Sequence, residues 1–356
     1  MHLFTQPTLT LLLRCCRQPF GPAEVAAIHQ WLATNAQGPP VEWDLFYQLA
    51  FNHGVAPLVF NNLQRVGLAQ LALPPAIIAA FQQITYQTIA VKSGIRTKLV
   101  EMLAFCAERN IRVMIIKGAA LDLAIYQEPW YVIHDVDLIF DQDQAALAPT
   151  IFAELDRYFW DLPGFEYDFY GHHDVTMNGL LAIDFAAIWA VATPIDLDGQ
   201  VAWLMCPTDM LLAACINSCR KRFFRLKSLL AIATLVAHQP APEWSLLFAA
   251  AHRYGCGAIV YTALLATEQT LGCALPAALA HSLGLSTVRA QLLQGLIEHT
   301  AQATLLQGTA TFSPTQRRVD QSLLLPMRLI RRPNSGAEPL AGEKCDNRKT
   351  NVKLLT

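Results

Sequence analysis

Between Val132 and Phe140 the chain reads VIHDVDLIF, an apolar run that holds two carboxylates one residue apart, Asp135 and Asp137. The β-branched and aromatic residues around them argue for a buried strand. In a strand, residues i and i+2 face the same way, about 6–7 Å apart. Both acids therefore share one face, and Val136 and Leu138 take the other. Two like charges on a buried face repel and are costly to desolvate. A divalent cation between them removes both penalties. Hard oxygen ligands suit Mg2+ or Mn2+, ions that keep waters and share a site with substrate phosphates. The structural alternative is a pair at a strand end, solvated or matched by Lys or Arg.

Two further features bear on that choice. A third acid, Asp184, lies in LLAIDFAAIW, where residues 180–185 read as another apolar strand. Three acids on adjacent strands form a two-metal clamp on a phosphate, and Asp184 is also placed to act as general base. Upstream, the strand RVMII (residues 112–116) runs into Lys117-Gly118 and then a helical pattern to Tyr126. Glycine at a strand-to-helix turn lets backbone N–H groups approach a phosphate, and Lys117 adds a point charge. The G-x-x-x-x-G-K-[ST] phosphate loop is absent.

Helices surround this unit. Pro22 to Trp31, Val41 to Ala50 with Trp43, Phe46 and Leu49 on one face, and Pro57 to Val66 all carry helical periodicity, and a long pattern after Pro74-Pro75 ends at Asn110. Asp143 to Phe159 reads as a helix, residues 167–170 and 174–177 as strands, and Asn178-Gly179 as a hairpin turn. Thr208 is the expected N-cap of a helix to about Arg220. The expected division is a helical region over 1–94, an α+β unit over 95–205, a helical region over 206–312 and a basic polar tail over 313–356, largely disordered. The fold class is α+β: a small mixed sheet with helices, flanked by helical regions on both sides.

Composition closes off other classes. The mean hydropathy is +0.30, yet the long uncharged stretch Gly67 to Val91 contains Pro74-Pro75 and several glutamines, so no membrane span is expected. No basic residue precedes the short apolar run at the N-terminus, which argues against a signal peptide. The nine cysteines are scattered without a Cys-x-x-Cys. Cys215 and Cys219 read as small buried hydrophobes, and a reducing cytoplasm is the expected compartment. Residues from 311 onward carry nine Lys/Arg and four Asp/Glu against a net charge of −2, which leaves the rest of the chain about seven units negative. That sign is wrong for a general nucleic-acid binder, and sequence-specific recognition of nucleic acid is not expected.

Taken together, Lys117-Gly118, the helix ending at Tyr126, Pro129, Asp135-Val136-Asp137 and Ile183-Asp184-Phe185 resemble bacterial uncharacterised nucleotidyltransferases of the DNA polymerase β-like superfamily. The resemblance covers about residues 40–285 and includes the flanking helices VEWDLFYQLAFNHGVAPLVFNNL and FFRLKSLLAIATLV. It implies that Asp135, Asp137 and Asp184 bind Mg2+, with Mn2+ as a substitute, and that the Gly118 turn holds the triphosphate of an NTP. It also implies an acceptor, a small molecule or a protein, that takes the NMP as pyrophosphate leaves. This chain departs from the pattern at Gly118-Ala119, where Gly-Ser is usual. It also departs at His134, near where an Arg often stands, and at Ala186-Ala187, where His-Trp is common. A fold-retaining accessory protein that binds a nucleotide or a partner is the alternative; a DxD glycosyltransferase lacks room for its usual nucleotide-binding sheet.

Two other motifs remain. Gly171-His172-His173-Asp174 holds adjacent histidines, which face opposite ways in a strand. Arg220 to Lys227 carries five basic residues in eight. Read as a helix, it spreads its charge around the circumference; the family resemblance implies that this helix lies near the site, so that Arg225 or Lys227 reaches phosphates.

Overall fold

The computed structural model describes residues 6–126, 129–141, 144, 150–151, 153–155, 167–169, 181, 183–238 and 241–307. The expected tail over 313–356, the Gly171–Asp174 motif and the Asn178-Gly179 turn lie outside them.

Five helices open the chain: α1 (Pro7–Cys15), α2 (Pro22–Thr34), α3 (Trp43–Asn52), α4 (Ala56–Val66) and α5 (Pro75–Glu108). Proline stands in the first turn of four of these, α1, α2, α4 and α5, where its missing N–H costs nothing and its fixed φ suits a helix. Phe81 of α5 collects the rings of Phe46, Tyr47 and Phe60, with centroids 5.0–6.2 Å away. As the sequence implies, Phe46 and Leu49 are buried. Asn110, at φ 55°, ends the long helix pattern where expected; asparagine tolerates that left-handed conformation better than most residues.

The chain then enters a five-stranded mixed sheet of order β3-β2-β1-β5-β4. β1 (Val113–Ile116) is buried throughout, as a central strand of a covered sheet must be. It pairs antiparallel with β2 (Val136–Phe140) and parallel with β5 (Gln200–Leu204). β3 (Tyr167–Phe169) lies parallel to β2, and β4 (Thr193–Leu197) antiparallel to β5. Asp198 and Gly199 join β4 to β5 with φ 53° and 84°. That is the Asp-Gly chemistry of a tight hairpin, a turn that the sequence reading passed over.

Three expectations are corrected. The described residues of the expected strand over 180–185 are not a strand: Ile183 and Asp184 are irregular, and Phe185–Ala190 is a short helix, α7. Thr208 is not a cap. The helix α8 (Pro207–Arg220) is capped at Cys206 with Pro207 in its first turn, and the Thr208 hydroxyl accepts instead from the Glu243 N–H at 3.0 Å. Residues 220–227 are not one helix: α8 stops at Arg220, and α9 (Leu226–Ala237) starts after a bend.

Helices α10 (Trp244–Arg253), α11 (Gly257–Leu271), α12 (Leu279–Ser282) and α13 (Thr287–Gln307) complete the described chain. Cys215 and Cys219 are buried in this bundle, as expected of small hydrophobes. Among the described residues, no helix is long and apolar enough to cross a membrane. Fold class and flanking helices match the α+β reading.

Candidate functional site

Sheet topology gathers the site. β1 and β5 are parallel, so their C-terminal ends meet one edge of the sheet, and β2, antiparallel to β1, begins there. Ile116 at the end of β1 is in register with Asp137. Lys117, Asp135, Asp137 and Met205 thus converge, with Met205 about 10 Å from the acidic strand across two strand spacings.

Lys117 has φ 55°, a conformation that non-glycine residues rarely adopt and that tends to persist at functional sites. The expected turn glycine is not the strained residue. Gly118 lies inside the helix α6 (Lys117–Leu121), and a Cβ there would meet Ile133 at an ordinary 3.7 Å. The Lys117 ammonium donates to Asp137 Oδ1 at 2.8 Å, and the Asp137 residue is 4% exposed. Asp135, just before β2, is half-buried and, among the described residues, makes no hydrogen bond or ion pair. Both carboxylates and Lys117 line a cavity of about 240 Å³.

The wall facing the acids is cationic, and the bend between α8 and α9 makes it so. Arg222 and Phe223 both take left-handed φ values, 61° and 63°. Such residues cost of order 1–3 kcal/mol each and need over-determined surroundings. Here Phe223 and Phe224 are buried, and Phe223 N–H donates to the Ser218 carbonyl at 2.8 Å. A continuous helix would disperse the charges; the bend instead turns Lys221, Arg225 and Lys227 into the one cavity. Burial, reinforced by Arg225, lowers the Lys227 pKa to about 8, while Asp135 and Asp137 pull it up. Its ammonium sits 5.1 Å from the Tyr131 ring centroid, a cation–π distance. Burial also lowers the His134 pKa, with Lys227 adding to the effect and Asp135 opposing it.

His53 anchors this wall. Its Nδ1 accepts from the Leu226 N–H at 3.3 Å, and its Nε2 donates to the Leu305 carbonyl at 2.9 Å. The His53 carbonyl accepts from the Lys227 N–H at 3.3 Å. One neutral tautomer serves both ring contacts. Burial holds the His53 pKa down at about 4.

Of the residues singled out in the sequence, Lys117, Gly118, Asp135, Asp137, Arg225 and Lys227 line this cavity together. Asp184 does not. It is the exposed N-cap of α7, and its Oδ1 accepts from the Ala187 N–H at 3.1 Å. The strand beside β2 is β3, and its Asp168 is in register with Asp137. Sequence reasoning did not find Met205, Met210, Ala213, Ala214 and Asn217, which also face the cavity. The signal was there for α8: positions 210, 213, 214 and 217 fall on one helical face.

Among the described residues, no group of three or more His, Cys, Asp and Glu side chains is placed to hold a metal. A pair of carboxylates, one of them without a hydrogen-bond or ion-pair partner among the described residues, still fits Mg2+ or Mn2+, because Mg2+ is often held by one or two carboxylates plus substrate phosphates and water.

Comparison with protein families finds one model, described as "Uncharacterised nucleotidyltransferase", that matches residues 39–272. No curated protein and no solved structure matches the chain.

Proposed function

This chain belongs to the uncharacterised nucleotidyltransferase family, and from that premise we propose that it moves an NMP from an NTP to an acceptor. The acceptor oxygen or nitrogen bonds to the α-phosphorus and gives up its proton to water, the bond from the α-phosphorus to the bridging oxygen breaks, and its electron pair leaves with pyrophosphate. The observation that carries the reading is the juxtaposition of Asp135 and Asp137 with Lys117, Lys221, Arg225 and Lys227 in a single cavity. Acids and bases in that proportion suit a metal–triphosphate complex better than either free cation or free anion.

Asp135 and Asp137 would hold Mg2+, or Mn2+ in its place. When bound, such an ion would supply Lewis-acid polarisation of the α-phosphate and neutralise charge on the leaving oxygens. Lys117 lies next to Asp137 and the α6 turn, so it would serve the phosphates from below. Lys221, Arg225 and Lys227 would line them from above, with Arg225 able to grip two oxygens at once. Burial strengthens the contacts of Lys117, Arg225 and Lys227, since it lowers the local dielectric, whereas Lys221 is exposed. Asp184 has no part in this reading, because its carboxylate is committed to a helix cap.

A second reading has its own support. Among the described residues, two acids share the cavity, and Gly118 is followed by Ala119 rather than a hydroxyl residue. Those features favour a nucleotide-binding accessory protein without turnover. Pyrophosphate release from each of the four NTPs with Mg2+, in the presence of cell extract as a source of acceptor, separates the two. Release by the wild type and none by Asp137→Asn supports the transferase. Metal-dependent NTP binding without release from any of the four supports the accessory protein.

A further inference from the structure

We propose that a second cavity, beside the first, takes the acceptor, and that the acceptor is a small organic anion: an apolar body that carries a carboxylate or phosphate. The inference rests on the transferase reading above and names the class of its second substrate. The cavity has a volume of about 210 Å³. Helices α4 and α9 supply its walls, together with the rings of Tyr126, Trp130 and Tyr131.

Three observations join one end of it to the first cavity. Tyr131 lines both. Its ring centroid lies 4.1 Å from that of Tyr126, on the second cavity, and 5.1 Å from the Lys227 ammonium, on the first. Gly54 lines the second cavity, and a Cβ there would meet Lys227 Cδ at 3.5 Å and Arg225 Nη2 at 3.8 Å. Helix α9 makes the third link. Lys227 lines the first cavity, and Leu230 and Thr234, on the same helical face, line the second. One layer of side chains therefore separates the two. For transfer the Tyr131 ring must turn aside, and a ring with a cavity on each side has room to do so.

The other end is fixed by α4. Leu58, Asn61, Asn62 and Arg65 line the cavity at the spacing of one helical face. From Val55, next to Gly54, to Arg65 that face runs for about 15 Å. Arg65 thus marks the end remote from Lys227. It is exposed, its guanidinium carbon lies 5.5 Å from the Phe20 ring centroid, and among the described residues it makes no ion pair or hydrogen bond. A guanidinium laid over a ring keeps its fork of donors for a carboxylate or phosphate. Between the ends, Leu58, Ile125 and Leu230 suit an apolar body. The sign of the charge follows from the lining. Among the described residues it holds Arg65 and no Asp or Glu, so an anion finds a partner there and a cation does not. Arg65 grips the anionic group, and the reactive atom of the acceptor meets the α-phosphorus at the Tyr131 end, in the step written above.

The test uses three probes of similar shape, 3-phenylpropionate, 3-phenylpropionamide and 3-phenylpropylamine, titrated into the full chain by ligand-detected NMR. The wild type should bind the anion at least about tenfold more tightly than the other two, the worth of one charge-assisted contact. Arg65→Gln should bring the three within about threefold of one another, Arg65→Lys should restore part of the preference, and Lys221→Ala should leave it unchanged. In the pyrophosphate-release assay, Arg65→Gln should raise the extract needed for half-maximal release by about tenfold and keep the KM for NTP within about twofold. The anionic probe should compete with the extract and not with the NTP. Equal binding of the three probes, binding of none, or a preference lost on Lys221→Ala and kept on Arg65→Gln overturns the inference and leaves the NTP reading standing. No release by the wild type from any NTP removes the transferase reading, and the acceptor role falls with it.

Discussion

Two ion pairs at opposite ends of the same sheet are alike in chemistry and unlike in setting. Lys117 and Asp137 meet at 2.8 Å with side chains 16% and 5% exposed. Arg96 and Asp198 meet at 2.9 Å, with a second hydrogen bond at 3.2 Å, yet their side chains are 52% and 56% exposed. By geometry the surface pair is the better formed. By energy it is worth little, since water and salt screen it and two long side chains must be held still. The cavity pair has lost much of its hydration, so each partner depends on the other or on a replacement charge. The surface pair ties a hairpin to α5; in the proposed function the cavity pair would exchange its ammonium for a metal ion.

The largest expected effect comes from neutralising Asp137. Asp137→Asn should lower metal-dependent NTP affinity by about two orders of magnitude, some 2.7 kcal/mol, as read by calorimetry. The fold should tolerate it, because the Lys117 ammonium reaches the cavity and its water. Removing the other partner is the sharper test of burial. Lys117→Met leaves the Asp137 carboxylate short of its nearest cation and should cost roughly 3 kcal/mol in chemical denaturation. Millimolar Mg2+ should restore part of that loss, which a purely structural lysine would not allow.

A pH effect of similar size is expected at His53. Its folded pKa of about 4 lies below the ordinary 6.5, so protons bind the unfolded chain more readily. The stability it contributes is full above pH 6.5 and is lost as pH falls from 6.5 toward 4, on the order of 3 kcal/mol in all. Urea midpoints between pH 7 and pH 4.5 measure it, and His53→Gln should flatten that dependence. The smallest effect is expected at the surface pair. Asp198→Asn should leave the melting temperature within experimental scatter and NTP affinity unchanged. The Arg96 guanidinium holds the Asp198 carboxyl below the usual range, but its charge faces water.

How much of this was legible in the residues differs by element, for physical reasons. The Val136–Phe140 part of the expected 132–140 strand and the end of the long helix at Asn110 are legible because both rest on local pattern, an apolar β-branched run in one case and left-handed tolerance in the other; residues 132–135, Asp135 among them, precede the strand. The Asp198-Gly199 hairpin is equally local: an Asp-Gly pair between two short strands carries the same turn chemistry as Asn178-Gly179. The segment around Asp184 misled because an apolar run of that length suits a strand or the start of a helix, and Asp is a favoured N-cap. Arg220 to Lys227 misled for a different reason. Its bend depends on Phe223 and Phe224 finding the core, which outweighs two strained φ values, and no local rule foresees that. Cavity walls such as Asn217 depend on which helix face meets the sheet edge, so tertiary packing alone exposes them.

The most direct measurement is a calorimetric titration of each of the four NTPs, with and without Mg2+, into the wild type and into the double variant Asp135→Asn/Asp137→Asn. The account predicts binding of at least one NTP by the wild type with metal and loss of that metal-dependent binding in the double variant. NTP binding that is indifferent to the metal and to both substitutions would contradict it.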